Sequence, residues 1–136
     1  TTMSDLVDHE LAHFDRSRLA ASGPGVLLNP KASIAIAMVL HELSTNAAKY
    51  GALSGDAGLL DVAWHVETDG DLIIQWRETG EALVTPPLKT GFGSRLIDKV
   101  IHGELNGAVR SSYEADGLVC QLVVPHSSYI RTENHA

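Results

Sequence analysis

The chain has 136 residues, 44% of them hydrophobic and 20% charged, which suits one folded domain with its own core and excludes a disordered chain. Seventeen acidic residues against ten basic ones leave a net charge of -7, which excludes the broad basic face of a nucleic-acid binder but not a few local cations around a nucleotide. Cys120 is the single cysteine, so no internal disulfide can form. There is also no apolar run long enough to span a bilayer and no basic-then-apolar leader, so a cytoplasmic protein without direct membrane contact is expected.

In chain order, residues 4–14 read as a helix, because Leu6, Val7, Leu11 and Phe14 recur at helical spacing and Ser4 or Asp5 can cap the start. Short strands are expected at 16–21 and 26–28, on either side of the turn Ser22-Gly23-Pro24-Gly25. Asn29-Pro30 opens a long helix that should end near Tyr50, since Asn caps well and Pro suits the first helical position. After a loop at 52–58, residues 59–67 alternate, with Leu60, Val62, Trp64 and Val66 on one face. Asp69-Gly70 is a hairpin turn signal, and 72–78 is the return strand, with Leu72, Ile74 and Trp76 together. Residues 79–90 hold Gly80, Pro86 and Pro87 without either period and read as a loop over a site. A helix follows at 94–105, with Leu96, Ile97, Val100, Ile101 and Leu105 inward. Strands at 108–114 and 118–124 pair through Ala115-Asp116-Gly117, and 127–136 reads as a loose tail beyond a domain at 1–126. Helices that precede and interrupt antiparallel hairpins imply the α+β class: a two-layer α/β sandwich with a mixed, mostly antiparallel sheet and helices on one face.

Two stretches carry chemistry. In His41-Glu42-Leu43-Ser44-Thr45-Asn46-Ala47-Ala48-Lys49-Tyr50-Gly51, the residues Glu42, Asn46 and Lys49 are four and then three apart, so they stack on one helical face. Ile36, Leu40, Leu43 and Ala47 form the opposite, buried stripe. A carboxylate, a carboxamide and an amine together can hold a hydrated cation and a phosphate chain. Asn supplies an oxygen, Glu orients water or takes a proton, and Lys neutralises charge. The plainer alternative is an amphipathic core helix with a solvated side. His41-Glu42 also opens like a zinc-protease His-Glu-x-x-His, but Thr45 stands where the second ligand belongs and excludes that reading. The second stretch is Gly91-Phe92-Gly93-Ser94-Arg95-Leu96-Ile97. Its glycines allow backbone N–H groups close to an anion, and a helix start adds positive partial charge. Alone, Gly-x-Gly more often marks a turn. Beside the polar face of the long helix, it points to a nucleotide phosphate site.

With Trp76-Arg77-Glu78 between them, these stretches resemble the ATP-binding catalytic domain of HWE-type sensor histidine kinases, a family named for such a His and such a Trp-x-Glu. The resemblance runs from about residue 6 to about residue 125. It implies the Bergerat ATP-binding fold shared with gyrase, Hsp90 and the mismatch-repair ATPases. It implies binding of Mg2+ and ATP, and transfer of the γ-phosphoryl to a histidine on a separate dimerisation segment for relay to a response regulator. By the same resemblance, Asn46 is the magnesium ligand, and Glu42 is the catalytic acid that positions or activates the phosphoacceptor or a metal-bound water. Lys49 meets phosphate oxygens, and Glu78 accepts from the adenine amino group. Gly80 lets the chain turn beneath the base. Gly91, Gly93 and Ser94 meet the phosphates, while Phe92 anchors the loop by packing.

Several positions stay open. Tyr50 suits either the nucleotide or the core, Arg95 either the phosphates or the surface, and Trp76 the site face or plain core. His41 marks the family and is expected to bond a neighbouring strand rather than ATP. The family's Gly-Gly-Pro after Trp-x-Glu is here Gly80-Glu81-Ala82, which adds a negative charge to the lid. His9 and His13 lack the family's phosphoacceptor context, so the chain reads as the catalytic half alone. The alternative function is a nucleotide-binding or partner-binding regulatory module of the same fold, anti-sigma-like, without histidine kinase turnover.

Overall fold

A computed structural model describes residues 1–80 and 92–129. The elements run α1 (Met3–Glu10), β1 (Leu19–Ser22), α2 (Pro30–Lys49), β2 (Leu59–Val66), β3 (Leu72–Thr79), α3 (Phe92–Asp98), β4 (Ala108–Glu114), β5 (Gly117–Val124) and α4 (His126–Tyr129). Short 3-10 turns lie at Arg16–Arg18 and Ala52–Ser54, and a π-helical turn, Lys99–Glu104, extends α3. The strands form one sheet in the order β1-β2-β3-β5-β4. β1 pairs with β2 in parallel, and every other neighbouring pair is antiparallel, as expected for a mixed, mostly antiparallel sheet.

Helix α2 forms where its capping signals place it. The Asn29 side chain accepts from Ala32 N at 2.8 Å, and Pro30 at the first position has no N–H to leave unpaired. Ala32, Ala35, Ile36, Val39, Leu40, Leu43 and Ala47 then form one buried stripe. That stripe joins Leu60, Val62 and Trp64 of β2, Leu72, Ile74 and Trp76 of β3, and Cys120, Leu122 and Val124 of β5 in a single core. Fully burying one large apolar side chain contributes about 1.5–3 kcal/mol, so this contact between layers outweighs any single polar contact.

The structure differs from the sequence reading at the element ends. Helix α1 stops at Glu10, with Leu11 as its C-cap. Residues 16–18 form a 3-10 turn because the Asp15 carboxylate accepts from Ser17 N at 3.0 Å, giving the backbone an alternative to a ladder. Residues 26–28 form no strand, and Leu27 makes only an isolated bridge to Thr2. Val66, at the last pair of the β2–β3 ladder, is exposed rather than inward. Helix α3 already includes Phe92 and Gly93, ahead of the expected Ser94, and widens at Lys99; the wide turn still buries Val100, Ile101 and Leu105. Asn106, at φ 56°, closes it in the left-handed conformation that Asn tolerates.

The stretch expected to be loose from Ser127 instead begins with α4. Tyr129 is 3% exposed, its hydroxyl donates to Gly70 O at 2.7 Å, and its carbonyl accepts from Asn29 N at 2.8 Å. The expectations for the remaining tail and for the loop at 81–91, including Glu81-Ala82 and Gly91, lie outside the described residues.

One cross-chain contact was invisible in the local pattern. Arg18, ahead of β1, donates from Nε to Gly58 O at 2.9 Å and from one terminal nitrogen to Ala52 O at 3.1 Å and Gly55 O at 2.6 Å. It staples residues 52–58 against the sheet edge. Hydrogen bonds from a charged group contribute about 1.5–3 kcal/mol each, with strong non-additivity. Replacing Arg18 by Ala should lower the unfolding free energy by about 2–3 kcal/mol in urea titration, while Arg16→Ala, at an exposed position, should change it by less than about 0.5 kcal/mol. Equal effects of the two changes would remove the staple from the account.

Candidate functional site

The site is built where the end of α2 meets the end of β3. Trp76 and Glu78 are two residues apart on β3, so both point to the helix-covered face of the sheet. Glu78 is 2% exposed although it lies near the end of its strand. Its Oε2 accepts from Trp76 Nε1 at 2.8 Å, and its Oε1 accepts from Ala52 N at 3.0 Å. Among the described residues no ion pair reaches it. Burial pushes its carboxyl above the usual glutamate range, and the two N–H donors pull part of the way back.

Gly51 explains itself against this carboxylate. Its φ of -109° is open to any residue, so conformational freedom is not why glycine stands there. A side chain at 51 would instead collide with Glu78 Oε1. Gly51 N also donates to Asn46 O and Ala47 O, each at 3.1 Å, which closes α2. Gly51 and Ala52 therefore join the last turn of α2 to the Glu78 carboxylate. Gly80, just past β3, lies so close to the Gly58 backbone that a Cβ would come within 3.0 Å of Gly58 Cα, and its N–H donates to Asp116 O at 3.0 Å.

On α2 the structure brings Glu42, Asn46 and Lys49 to one side. Glu42 and Asn46 are half-buried and Lys49 is exposed. Among the described residues none hydrogen-bonds the Glu42 or Asn46 side chain, so both are free to meet a ligand. Tyr50, the C-cap, is 67% exposed, which excludes its alternative role in the core. His41 pairs with neither a strand nor the site. Its Nδ1 lies 3.4 Å from Glu10 Oε1 of α1, so it links the two helices at the surface. Phe92, Gly93 and Ser94 form the first turn of α3, which packs against α2. Arg95 is exposed.

Sequence reasoning missed Arg18 and left Trp76 open. Arg18 holds the 52–58 turn that supplies the Ala52 N–H, and nothing local to Arg18 signals a partner 34 to 40 positions away. Trp76 reads as either site face or core because it sits in an apolar alternation two residues before Glu78. Its Trp-x-Glu spacing was the available signal that the indole N–H reaches the acid.

No protein-family model matches the chain. Curated relatives do. A blue-light-activated histidine kinase of Brucella anthropi is 35% identical over 131 residues, covering 92% of this chain and 27% of that protein. Blue-light-activated histidine kinase 1 of Erythrobacter litoralis is 41% identical over 112 residues, covering 79% of this chain and 30% of that protein. The chain thus spans under a third of the curated relatives it matches. Among solved structures, the catalytic domain of histidine kinase ThkA superposes with a TM-score of 0.71 at 15% identity, over 93% of this chain and 94% of that one. The Erythrobacter litoralis EL346 blue-light activated histidine kinase gives 0.74 at 15% identity, over 92% of this chain and 41% of that one. At such identities the structural likeness establishes the fold. By sequence this chain is similar to a segment of blue-light-activated histidine kinases, and it has the fold of a histidine kinase catalytic domain.

Proposed function

We propose that the chain binds Mg-ATP and passes the γ-phosphoryl group to a histidine on its own dimerisation segment, in the cytoplasm. The observation that carries this reading is the buried Glu78 carboxylate, held by the N–H of Ala52 just beyond the α2 turn that bears Asn46 and Lys49. Adenine presents an amino donor at the edge where guanine presents a carbonyl acceptor. A fixed carboxylate therefore accepts from adenine and repels guanine. Tyr50 and Gly80 would flank the base end of the site.

The residues also fit the cation. Mg2+ takes few protein ligands and completes its shell with waters and substrate phosphates. Asn46, with its amide unengaged by any described residue, is suited to supply one oxygen. When bound, the ion would neutralise charge on the phosphate chain. Lys49 adds a mobile positive charge beside it, and the N–H groups around Gly91, Phe92, Gly93 and Ser94 would hold phosphate oxygens. Glu42, one turn before Asn46, would position the incoming histidine or a metal-bound water as the catalytic acid. Transfer then rests on alignment and charge neutralisation rather than on a covalent enzyme intermediate. A solved structure holds ThkA in complex with the response regulator protein TrrA. That likeness supports onward relay to a response regulator here.

The direct test supplies a separately produced acceptor-helix segment of an HWE-type kinase together with Mg-ATP. Acid-labile phosphate should accumulate on the segment. With Asn46→Ala it should not, although the variant keeps its thermal midpoint within a few degrees, because a half-exposed amide contributes less than about 1 kcal/mol to folding. Undiminished transfer by Asn46→Ala would remove Asn46 from the site. Transfer to no acceptor, with ATP still bound, would favour the regulatory-module alternative.

Glu78 also makes a pH prediction. Its pKa is raised in the folded state, so its contribution to stability is greatest below its ordinary value of 4.5 and is lost as pH rises through the folded value. Glu78→Gln lacks this titration. The stability of the wild type relative to Glu78→Gln should therefore grow as pH falls from about 8 to about 5 in urea titrations. A difference that is flat with pH would contradict the buried-acid assignment.

A further inference from the structure

We propose that Trp76 is a positioning residue for base recognition: its indole N–H fixes the Glu78 carboxylate so that the remaining lone pairs face the bound purine. The proposal rests on the reading of Glu78 as the base acceptor and adds the residue that makes it work. Trp76 is fully buried and is paired across the sheet with Val62 of β2 and Cys120 of β5. A ring packed between two cross-strand neighbours cannot reorient, so its N–H is a donor fixed in space. Glutamate has three side-chain torsions and by itself holds no single carboxylate plane. With Oε2 on Trp76 Nε1 and Oε1 on Ala52 N, the plane is fixed by two donors on different elements. Each carboxylate oxygen has two lone pairs, so one acceptor position per oxygen remains for a ligand.

The same contact governs the charge on the acid. Among the described residues, the titratable groups that feel Glu78 are Tyr113 of β4 and Cys120 of β5, and both are pushed above their ordinary values by burial and by the Glu78 charge. Neither is a cation, and Arg77, next along β3, points to the opposite, exposed side. Among the described residues the ionised form is thus favoured by the two N–H donors, with Trp76 the larger influence of the two. Without the indole donor the carboxyl would hold its proton to higher pH and lose acceptor capacity.

The test titrates Mg-ATP and the magnesium salt of purine riboside triphosphate, which lacks the 6-amino donor, into the wild type and into two variants. Trp76→Phe removes the donor at some cost in packing. Site-specific replacement of Trp76 by β-(3-benzothienyl)alanine keeps the ring shape and removes only the N–H. The wild type should prefer ATP by about tenfold. Both variants should lose most of that preference while keeping the affinity for the purine riboside nucleotide. The pH below which ATP binding weakens should also move upward. An unchanged preference in the benzothienyl variant would overturn the proposal, as would an equal loss for both nucleotides, which marks a merely structural role. A wild type without any preference would overturn the Glu78 reading itself.

Discussion

A carboxylate buried at the end of the central strand constrains everything around it. Leaving a charged acid in an apolar layer without partners costs several kcal/mol, and the chain would respond by protonating it or by moving the strand end into water. Here the surroundings are shaped to keep Glu78 in place. Position 51 carries no side chain, because one would occupy the carboxylate's space. The next residue offers its N–H to one oxygen, and the indole two residues earlier on the strand offers its own to the other. Arg18 reaches across from the sheet edge to hold the turn that contains Ala52. The chain thus assembles three distant segments around one acid.

This arrangement joins the two ends of the proposed nucleotide site mechanically. The base end is rigid, because both Glu78 oxygens are held by donors whose own positions are set by packing. The phosphate end is not. Asn46 and Glu42 have no described partners, and Lys49 stands in solvent. Gly51 and Ala52 connect the two, since the same dipeptide that closes α2 also delivers a donor to Glu78. A purine docked on the fixed end would therefore present its phosphates to side chains still free to adjust around a cation. That division fits a catalyst that works by placing its substrate and neutralising charge.

Much of this was legible in the sequence, for identifiable reasons. Asn29-Pro30 and an apolar stripe at helical spacing specify α2, and the offsets among Glu42, Asn46 and Lys49 specify its polar side. Alternation in β2 and β3 picks out Leu60, Val62, Trp64, Leu72, Ile74 and Trp76 as core. What stayed hidden depends on long-range contacts that no local pattern encodes. An acid at a strand end looks solvent-facing until the Ala52 turn is folded over it. An indole in an apolar run looks like packing until its N–H is seen to have a charged partner. Tyr129 is a lone aromatic in a polar stretch, and only the distant Gly70 carbonyl shows why it is buried. Local competition accounts for the shorter elements: Asp15 captures the Ser17 N–H and turns the start of a predicted strand, residues 16–18, into a 3-10 turn, while β1 begins at Leu19.

The central claim is that Glu78 reads an adenine base. Calorimetric titration of Mg-ATP and Mg-GTP into the wild-type chain tests it most directly. The account predicts that ATP binds and that GTP binds at least about tenfold more weakly, because guanine sets an acceptor against an acceptor. Equal binding of the two nucleotides, or binding of neither, would contradict it.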